Sequence, residues 1–510
     1  VIATLIVPPS GAGTGAWSQP LLLNRDSGFA ENEAMAASQD GSRAIAVFEI
    51  QDPNTYLLTA YVSIFTKHVW SAPHLLTVAG HNCPYIAKPT MSADGKRAMV
   101  LLVDQNTTTF VSIPEVVSWN GSAWSAPKAL GPSTTGSLYL PSIALSANGT
   151  TGVAAWTVAE GTPSYVVSTS LSSGTWSDAT VLSAPDVNSG QPIAATSRDG
   201  KVQMVEFNQA TASGVDTKVV TRAADAWRPA VTLPATASSS GGLAFAVSAD
   251  GRHGGCVWTG KITNGYALYY SQMSAGKWST KQIAASPDQV YFPTLAMSSD
   301  ASVVAVGFNT ATNSTATPTV LLQAKGVWAK PTALASSHYA GMMSVSVTPD
   351  GKRVAIAWYG QGGDATVHVH VQFKTGPYWT AAFDPQTAGQ IADYAAIELS
   401  GDGAVSFVEA ANRASDTVRQ VWVRTWTAPP TIGSVVPAAG KIKGGNKIVI
   451  RGSALLGTTV VIGGKKAKVV AGTSVALTVL VPAHKVGKVS ITVSTVGGSV
   501  TKANAYTYKK

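Results

Sequence analysis

Seven carboxylates, Glu31, Glu33, Asp52, Asp104, Glu160, Asp364 and Asp393, fall in segments where a glycoside hydrolase would keep its two acidic residues. That chemistry needs two carboxyl groups roughly 5 to 9.5 Å apart, a distance that spacing alone does not fix. Work on an acidic sugar would add a cluster of arginines. Arg43, Arg97, Arg252 and Arg353 instead each follow an Asp-Gly turn and so belong to the opposite side of the fold. His368 and His370 alternate onto one strand face and, with Asp364, have the donor types of a metal site. An exposed histidine pair without a fixed third ligand is ordinary surface, so no metal is assigned. The chain has no G-x-S-x-G, P-loop or H-E-x-x-H motif, and its residue types mark no nucleophile and call for no cofactor.

The elements that must position these residues come from a repeat. Tryptophan recurs at Trp17, Trp70, Trp124, Trp176, Trp227, Trp278, Trp328 and Trp379, 50 to 54 residues apart. About 20 residues after each lies a turn: SQDG at Ser38, SADG at Ser92, SANG at Ser146, SRDG at Ser197, SADG at Ser248, SSDA at Ser298, TPDG at Thr348 and SGDG at Ser400. Asp-Gly or Asn-Gly between alternating apolar runs marks a tight hairpin, because glycine tolerates the positive φ such turns require. Each repeat then holds an inner strand, its hairpin partner, a third strand and a fourth that carries the tryptophan. Eight tryptophans and eight turns predict eight four-stranded blades. The last turn is followed by only two strands, so the Trp17 strand is expected to close the ring as the missing fourth strand.

At TPDGKRVAIAW, and more loosely at the other turns, the repeat resembles the SPDG-type blades of TolB-like propellers over roughly residues 28 to 426. It is less similar to the sialidase Asp-box, whose S-x-D-x-G-x-T-W spacing is absent. The resemblance implies a fold and a protein-binding habit, and no reaction.

From Pro430 the text changes. Pro437 with Gly440, the run Gly444 to Asn446, V-x-I-G-G from Val460 to Gly464, V-P-A at Val481 to Ala483 and a final Y-x-Y resemble an IPT/TIG domain along its whole length. Such modules act as spacers in surface proteins or accompany DNA-binding domains. The expected architecture is all-β: an N-terminal strand and linker over 1–16, an eight-bladed propeller over 17–428, and an Ig-like β-sandwich over 429–510.

Charge separates the two bodies. Of 36 basic residues, twelve lie in 429–510, which has no Asp or Glu; the remainder carries 24 basic against 27 acidic residues. Lys441, Lys443, Lys447, Arg451, Lys465, Lys466 and Lys468 are candidate polyanion contacts, with solubility of a spacer as the other reading. Lysine dominates, and the domain's aromatics are Tyr506 and Tyr508 alone, which points away from nucleic acid.

The loops opposite the Asp-Gly turns are the expected ligand side. Tyr85, Tyr139 and Tyr291 each precede a turn serine by seven residues, with Tyr339 and Tyr394 nearby. They either ring the channel mouth, stacking on sugars or anchoring a peptide, or pack between blades. Trp156, Phe207, Trp258, Phe308 and Trp358, ten residues past the turn, read as core. Cys83 and Cys256 are free thiols or one long-range bridge, and no run approaches a membrane span. These features predict an exported, extracellular or cell-surface binding or adhesion protein, with cell-wall polymer, glycan or a surface protein as partner. Two alternatives stand beside it: a filament subunit assembling through the apolar strand Val1 to Val7, and a carbohydrate-active enzyme.

Overall fold

The computed structural model describes residues 15–510 except 25–27, 67, 79, 213, 235–237, 288, 312–314, 335–339, 362–365, 377, 386–390, 416–417 and 456. Val1 to Val7, Tyr339 and Asp364 lie outside the described residues.

Every regular element is a strand among the described residues, and eight antiparallel blades follow one another in chain order. Blade 5 shows the plan: an inner strand Ser238–Val247, then His253–Ile262, Gly265–Ser274 and an outer strand Lys277–Ser286. Most other blades reduce the outer strand to short pieces around the tryptophan, as in Thr175–Trp176 and Thr180–Val181 of blade 3. The period-two pattern buries one stripe of each strand against the next blade. Trp156, Phe207, Trp258, Phe308 and Trp358 are all at most 2% exposed, so this stripe is core.

The ring closes as the strand count requires. Blade 8 consists of Ile391–Leu399, Val405–Ser415 and Val418–Thr427, and its outer edge is taken by N-terminal residues: Trp17 pairs with Trp426, and Leu21 with Val423. The Asn24 side chain then donates to the Arg419 carbonyl at 3.0 Å and accepts from the Val421 amide at 2.6 Å, which satisfies two backbone groups beyond the paired residues.

The turns are built alike. The buried Ser248 hydroxyl donates to Asp250 Oδ1 at 2.6 Å and accepts from the His253 amide at 3.0 Å. Asp250 Oδ1 accepts the Arg252 amide as well. Gly251, at φ +69°, faces Val202 of the preceding blade so closely that a Cβ there would stand 2.7 Å from it. Ala301 takes the corresponding left-handed place at φ 55° in blade 6. The residue after each turn Ser or Thr also bonds to the next blade: the amides of Gln39, Ala93, Ala147, Arg198, Ala249 and Ser299 donate to the carbonyls of Ala93, Ala147, Arg198, Ala249, Ser299 and Pro349. Gly401 donates to Gln39, which leaves the step from Pro349 to Gly401, where proline has no N–H to give.

By compactness the chain falls into two units. One comprises Pro20–Gly401 with Phe407–Arg424; the other holds residues 15–19, Asp402–Ser406 and Thr425–Lys510. Within the latter, residues 431–509 form an Ig-like sandwich around Ile448, Ile450, Val460, Ile462, Val479, Ile491, Tyr506 and neighbours. Cys83 and Cys256 are both buried and both free, in blades 2 and 5, so the long-range bridge is ruled out.

Candidate functional site at the loop-side mouth of the channel

Inner strands border a propeller's channel, and the turn ring closes one end around a cavity of about 310 Å³ lined by Gln39, Arg198, Ser299 and Pro349 among others. The other end is shaped by a repeated irregularity. Pairing of the inner strand with its neighbour shifts between Glu31 and Ala34, Tyr139 and Ser142, Gly190 and Ile193, and Tyr291 and Thr294. Inside each bulge one residue is left-handed: Asn32 (φ 53°), Leu140 (52°), Gln191 (57°) and Phe292 (50°).

Such residues are costly unless neighbours hold them. Side chains eleven residues past the turn do so: Thr157 Oγ1 accepts the Gln191 amide at 3.2 Å, Asn208 donates to the Gln191 side chain at 2.7 Å, and Asn32 donates to Glu49 at 2.6 Å. Asn309 likewise donates to the Gly341 carbonyl at 2.8 Å. The bulge turns its residue outward. Leu140 and Phe292 are 40% and 51% exposed, and Tyr85, a paired residue of the blade 2 inner strand, is 38% exposed, unusual for large apolar side chains on inner strands.

Tyr85 and Tyr139, in adjacent blades, have ring centroids 6.4 Å apart, and Tyr291 lies edge-on to Phe292 at 5.0 Å. The mouth therefore carries apolar surface on blades 2, 3 and 6 and exposed amides, Asn32 and Gln191, on blades 1 and 4. Of the predicted tyrosines, Tyr85 is exposed, Tyr139, Tyr291 and Tyr394 are half-buried, and the left-handed Leu140 and Phe292 beside them went unforeseen.

Blades 8 and 1 supply a charged quarter centred on Arg419. Its Nε donates to both oxygens of Asp393 at 2.8 Å, and its Nη1 donates to the Glu33 carboxylate and the Ala30 carbonyl. The Arg419 and Arg413 guanidinium groups stand 5.8 and 5.5 Å from the Phe29 ring. Burial pushes the Glu33 carboxyl up against the opposing pull of Arg419. Burial and the nearby Glu33 charge hold Glu409 well above the carboxylate range. Arg419 thus stands apart from the four arginines that follow the turns. The signal was present in VRQVWVRTW, where period-two alternation puts Arg419 in line with the buried Val421 and Val423.

The other carboxylates are dispersed. Glu31 is half-buried opposite Glu49, whose carboxyl burial pushes up to about 8 and whose oxygens meet Asn32 and the Cys83 thiol. Asp104 holds His81 Nδ1 at 2.5 Å. Asp52 caps the turn amides of Asn54 and Thr55, and Glu160 is exposed beside Tyr165. His368 meets Asp384 at 2.7 Å, while His370 stacks on Trp358 at 5.2 Å, so both rings of the proposed metal pair have other partners. Among the described residues no three His, Cys, Asp or Glu side chains are grouped to hold a metal ion.

Residues 430–508 match the IPT/TIG domain family. No curated protein sequence matches the chain. Among solved structures, the Dos1 propeller is similar at 11% identity and TM-score 0.45, covering 80% of this chain and 94% of that one. The α-L-arabinofuranosidase Arb93A from Fusarium graminearum is similar at 10% identity and TM-score 0.38, covering 82% and 98%. A putative TolB from Agrobacterium tumefaciens gives 14% identity, TM-score 0.30, and coverage of 52% and 84%. At these values nothing about ligand or reaction passes from one protein to another. The chain is a β-propeller with SPDG-type turns followed by an IPT/TIG domain. Among the described residues no helix is long and apolar enough to cross a membrane.

Proposed function

We propose that the protein is a non-catalytic binding protein of the cell exterior, with the propeller as recognition head and the IPT/TIG domain as spacer. The observation that carries this reading is the set of exposed Tyr85, Leu140 and Phe292 on the innermost strands of blades 2, 3 and 6, together with the exposed amides Asn32 and Gln191 on blades 1 and 4. Flat apolar faces beside amide hydrogen-bonding groups suit a saccharide, whose rings have one apolar face and a hydroxyl rim. The carboxylates favour binding over turnover. Glu33 and Asp393 share Arg419, Glu49 is held by Asn32, and Asp104 by His81, so each of these has a structural partner.

The test is binding of the full chain to an array of neutral and acidic oligosaccharides, repeated with Tyr85→Ala/Phe292→Ala. Both side chains are substantially exposed, so the variant should keep the wild-type melting temperature and lose at least tenfold in affinity. Undiminished glycan binding by the variant would contradict the mouth as the site. Hydrolysis of any bound glycan that disappears in Asp393→Asn would replace the binding reading with an enzymatic one.

A further inference from the structure

The twelve cations of the IPT/TIG domain are not evenly spread. Ala439–Lys441 runs parallel to the final strand, in a register that sets Lys441 directly opposite Lys509. The Ile442 amide donates to the Lys509 carbonyl, and the His484 amide donates to the Ile442 carbonyl. These bonds bring the segments bearing Lys441, Lys443, Lys485 and Lys509 to one end of the sandwich. Lys465 joins them by donating from Nζ to the Ala483 carbonyl at 2.9 Å. The His484 ring fixes this end by stacking on buried Tyr508 at 5.0 Å, and Tyr508 donates to the Pro482 carbonyl at 2.7 Å.

All five lysines are exposed, and the domain has no carboxylate side chain to offset them. Like charges placed directly opposite one another on paired strands oppose folding. Solubility alone would be served as well by cations kept apart. Arg451 and Lys502 lie elsewhere: the Lys502 ammonium donates to the Gly433 carbonyl, and Gly433 approaches the Arg451 carbonyl. The seven candidates drawn from sequence are thus divided, with Lys441, Lys443 and Lys465 in the cluster and Arg451 outside it. Lys447 and Lys468 flank Leu480 on one sheet face, and Lys466 is exposed two residues before Lys468 on the same strand.

We infer that this end of the IPT/TIG domain binds a linear acidic polysaccharide through Lys441, Lys443, Lys465, Lys485 and Lys509. Ammonium groups act as point charges without the planar fork of arginine, so they suit a chain of carboxylates in varied orientations. Paired strands stand roughly 5 Å apart, the order of length of one sugar unit. The domain's two aromatic rings, Tyr506 and Tyr508, are buried, which leaves no stacking platform for bases. The site is independent of the saccharide reading for the propeller.

The test is salt-dependent retention of the full chain on immobilised polygalacturonate, with neutral dextran and duplex DNA as separate arms. Retention should fall roughly tenfold to a hundredfold between about 50 and 200 mM salt, as expected when about five screened ion pairs are involved. Lys443→Gln/Lys485→Gln should weaken binding at least fivefold, whereas Arg451→Gln/Lys502→Gln, which removes the same charge, should weaken it less than twofold. Equal losses in the two double variants would show a general charge effect and overturn the site. Absence of retention, or tighter binding of duplex DNA than of polygalacturonate, would overturn the ligand. Tyr85→Ala/Phe292→Ala should bind polygalacturonate like the parent, which separates failure here from failure of the propeller reading.

Discussion

The amide of Gly401 donates to the carbonyl of Gln39 at 2.6 Å, tying the last turn of the propeller to the first by the same bond that links turns one to seven. With Trp17 paired to Trp426 and Leu21 to Val423, the ring is joined at its inner turn and its outer edge. A Cβ on residue 401 would stand 2.9 Å from the Gln39 carbonyl oxygen. Gly401→Ala is expected to lengthen this bond and cost about 1 to 2 kcal/mol, read as a lower denaturant midpoint. Pro349→Ala should change stability by less than about 1 kcal/mol. The N–H it gains toward Gly401, worth about 0.5 to 1.5 kcal/mol, is offset by the freedom that losing proline returns to the unfolded chain. A midpoint for Gly401→Ala equal to the parent's would show that the inner seam contributes nothing.

The residues that made the fold legible are those with a fixed conformational job. The turn Ser or Thr and the Asp or Asn two residues on appear in the text because few side chains can accept those amides, and Trp17 was recognisable as the closing strand because one blade lacked a fourth. The mouth was less legible. Leu140 and Phe292 carry no mark of the left-handed backbone that exposes them; the bulge is set by pairing across strands, and its support comes from the preceding blade or the adjacent strand, as Thr157 does for Gln191. Arg419 was legible in principle from its alternation with Val421 and Val423. Its partners Glu33 and Asp393 lie 386 and 26 residues away, and only closure of the ring brings all three together.

Removing Arg419 tests what that closure holds. Arg419→Met leaves Glu33 and Asp393 without their shared cation, one of them fully buried, and should cost about 3 to 5 kcal/mol at neutral pH. The loss should shrink toward pH 4, because a protonated Glu33 no longer needs a counter-charge. Glu33→Gln/Arg419→Met should recover much of the stability at neutral pH. A single variant whose loss is independent of pH, or a double variant no better than the single, would mean that Arg419 acts through packing alone.

Stability should also peak in mildly acidic solution, and Glu206 gives the clearest handle on its alkaline side. Burial pushes the Glu206 carboxyl from its ordinary 4.5 up to about 8, and among the described residues neither oxygen meets a hydrogen-bond partner. The folded chain therefore holds a proton that the unfolded chain releases above about 4.5, so stability falls as pH rises from there to about 8 and is then level. Turn aspartates act in the opposite sense. The Ser197 hydroxyl holds Asp199 below the usual range, as the Ser248 hydroxyl does for Asp250, so their contribution is present above about pH 4 and lost as pH falls further. Glu206→Gln keeps the side-chain shape and removes the titration. Its melting temperature should match the parent near pH 5 and exceed it increasingly toward pH 8, by the equivalent of a few kcal/mol at most. Glu49, also near 8, and the buried Glu33 and Glu409, which are raised as well, share the slope that remains, so it should flatten further but not vanish in Glu49→Gln/Glu206→Gln. Parallel curves for parent and Glu206→Gln across pH 5 to 8 would mean that Glu206 is ionised in the folded protein and has found a counter-charge.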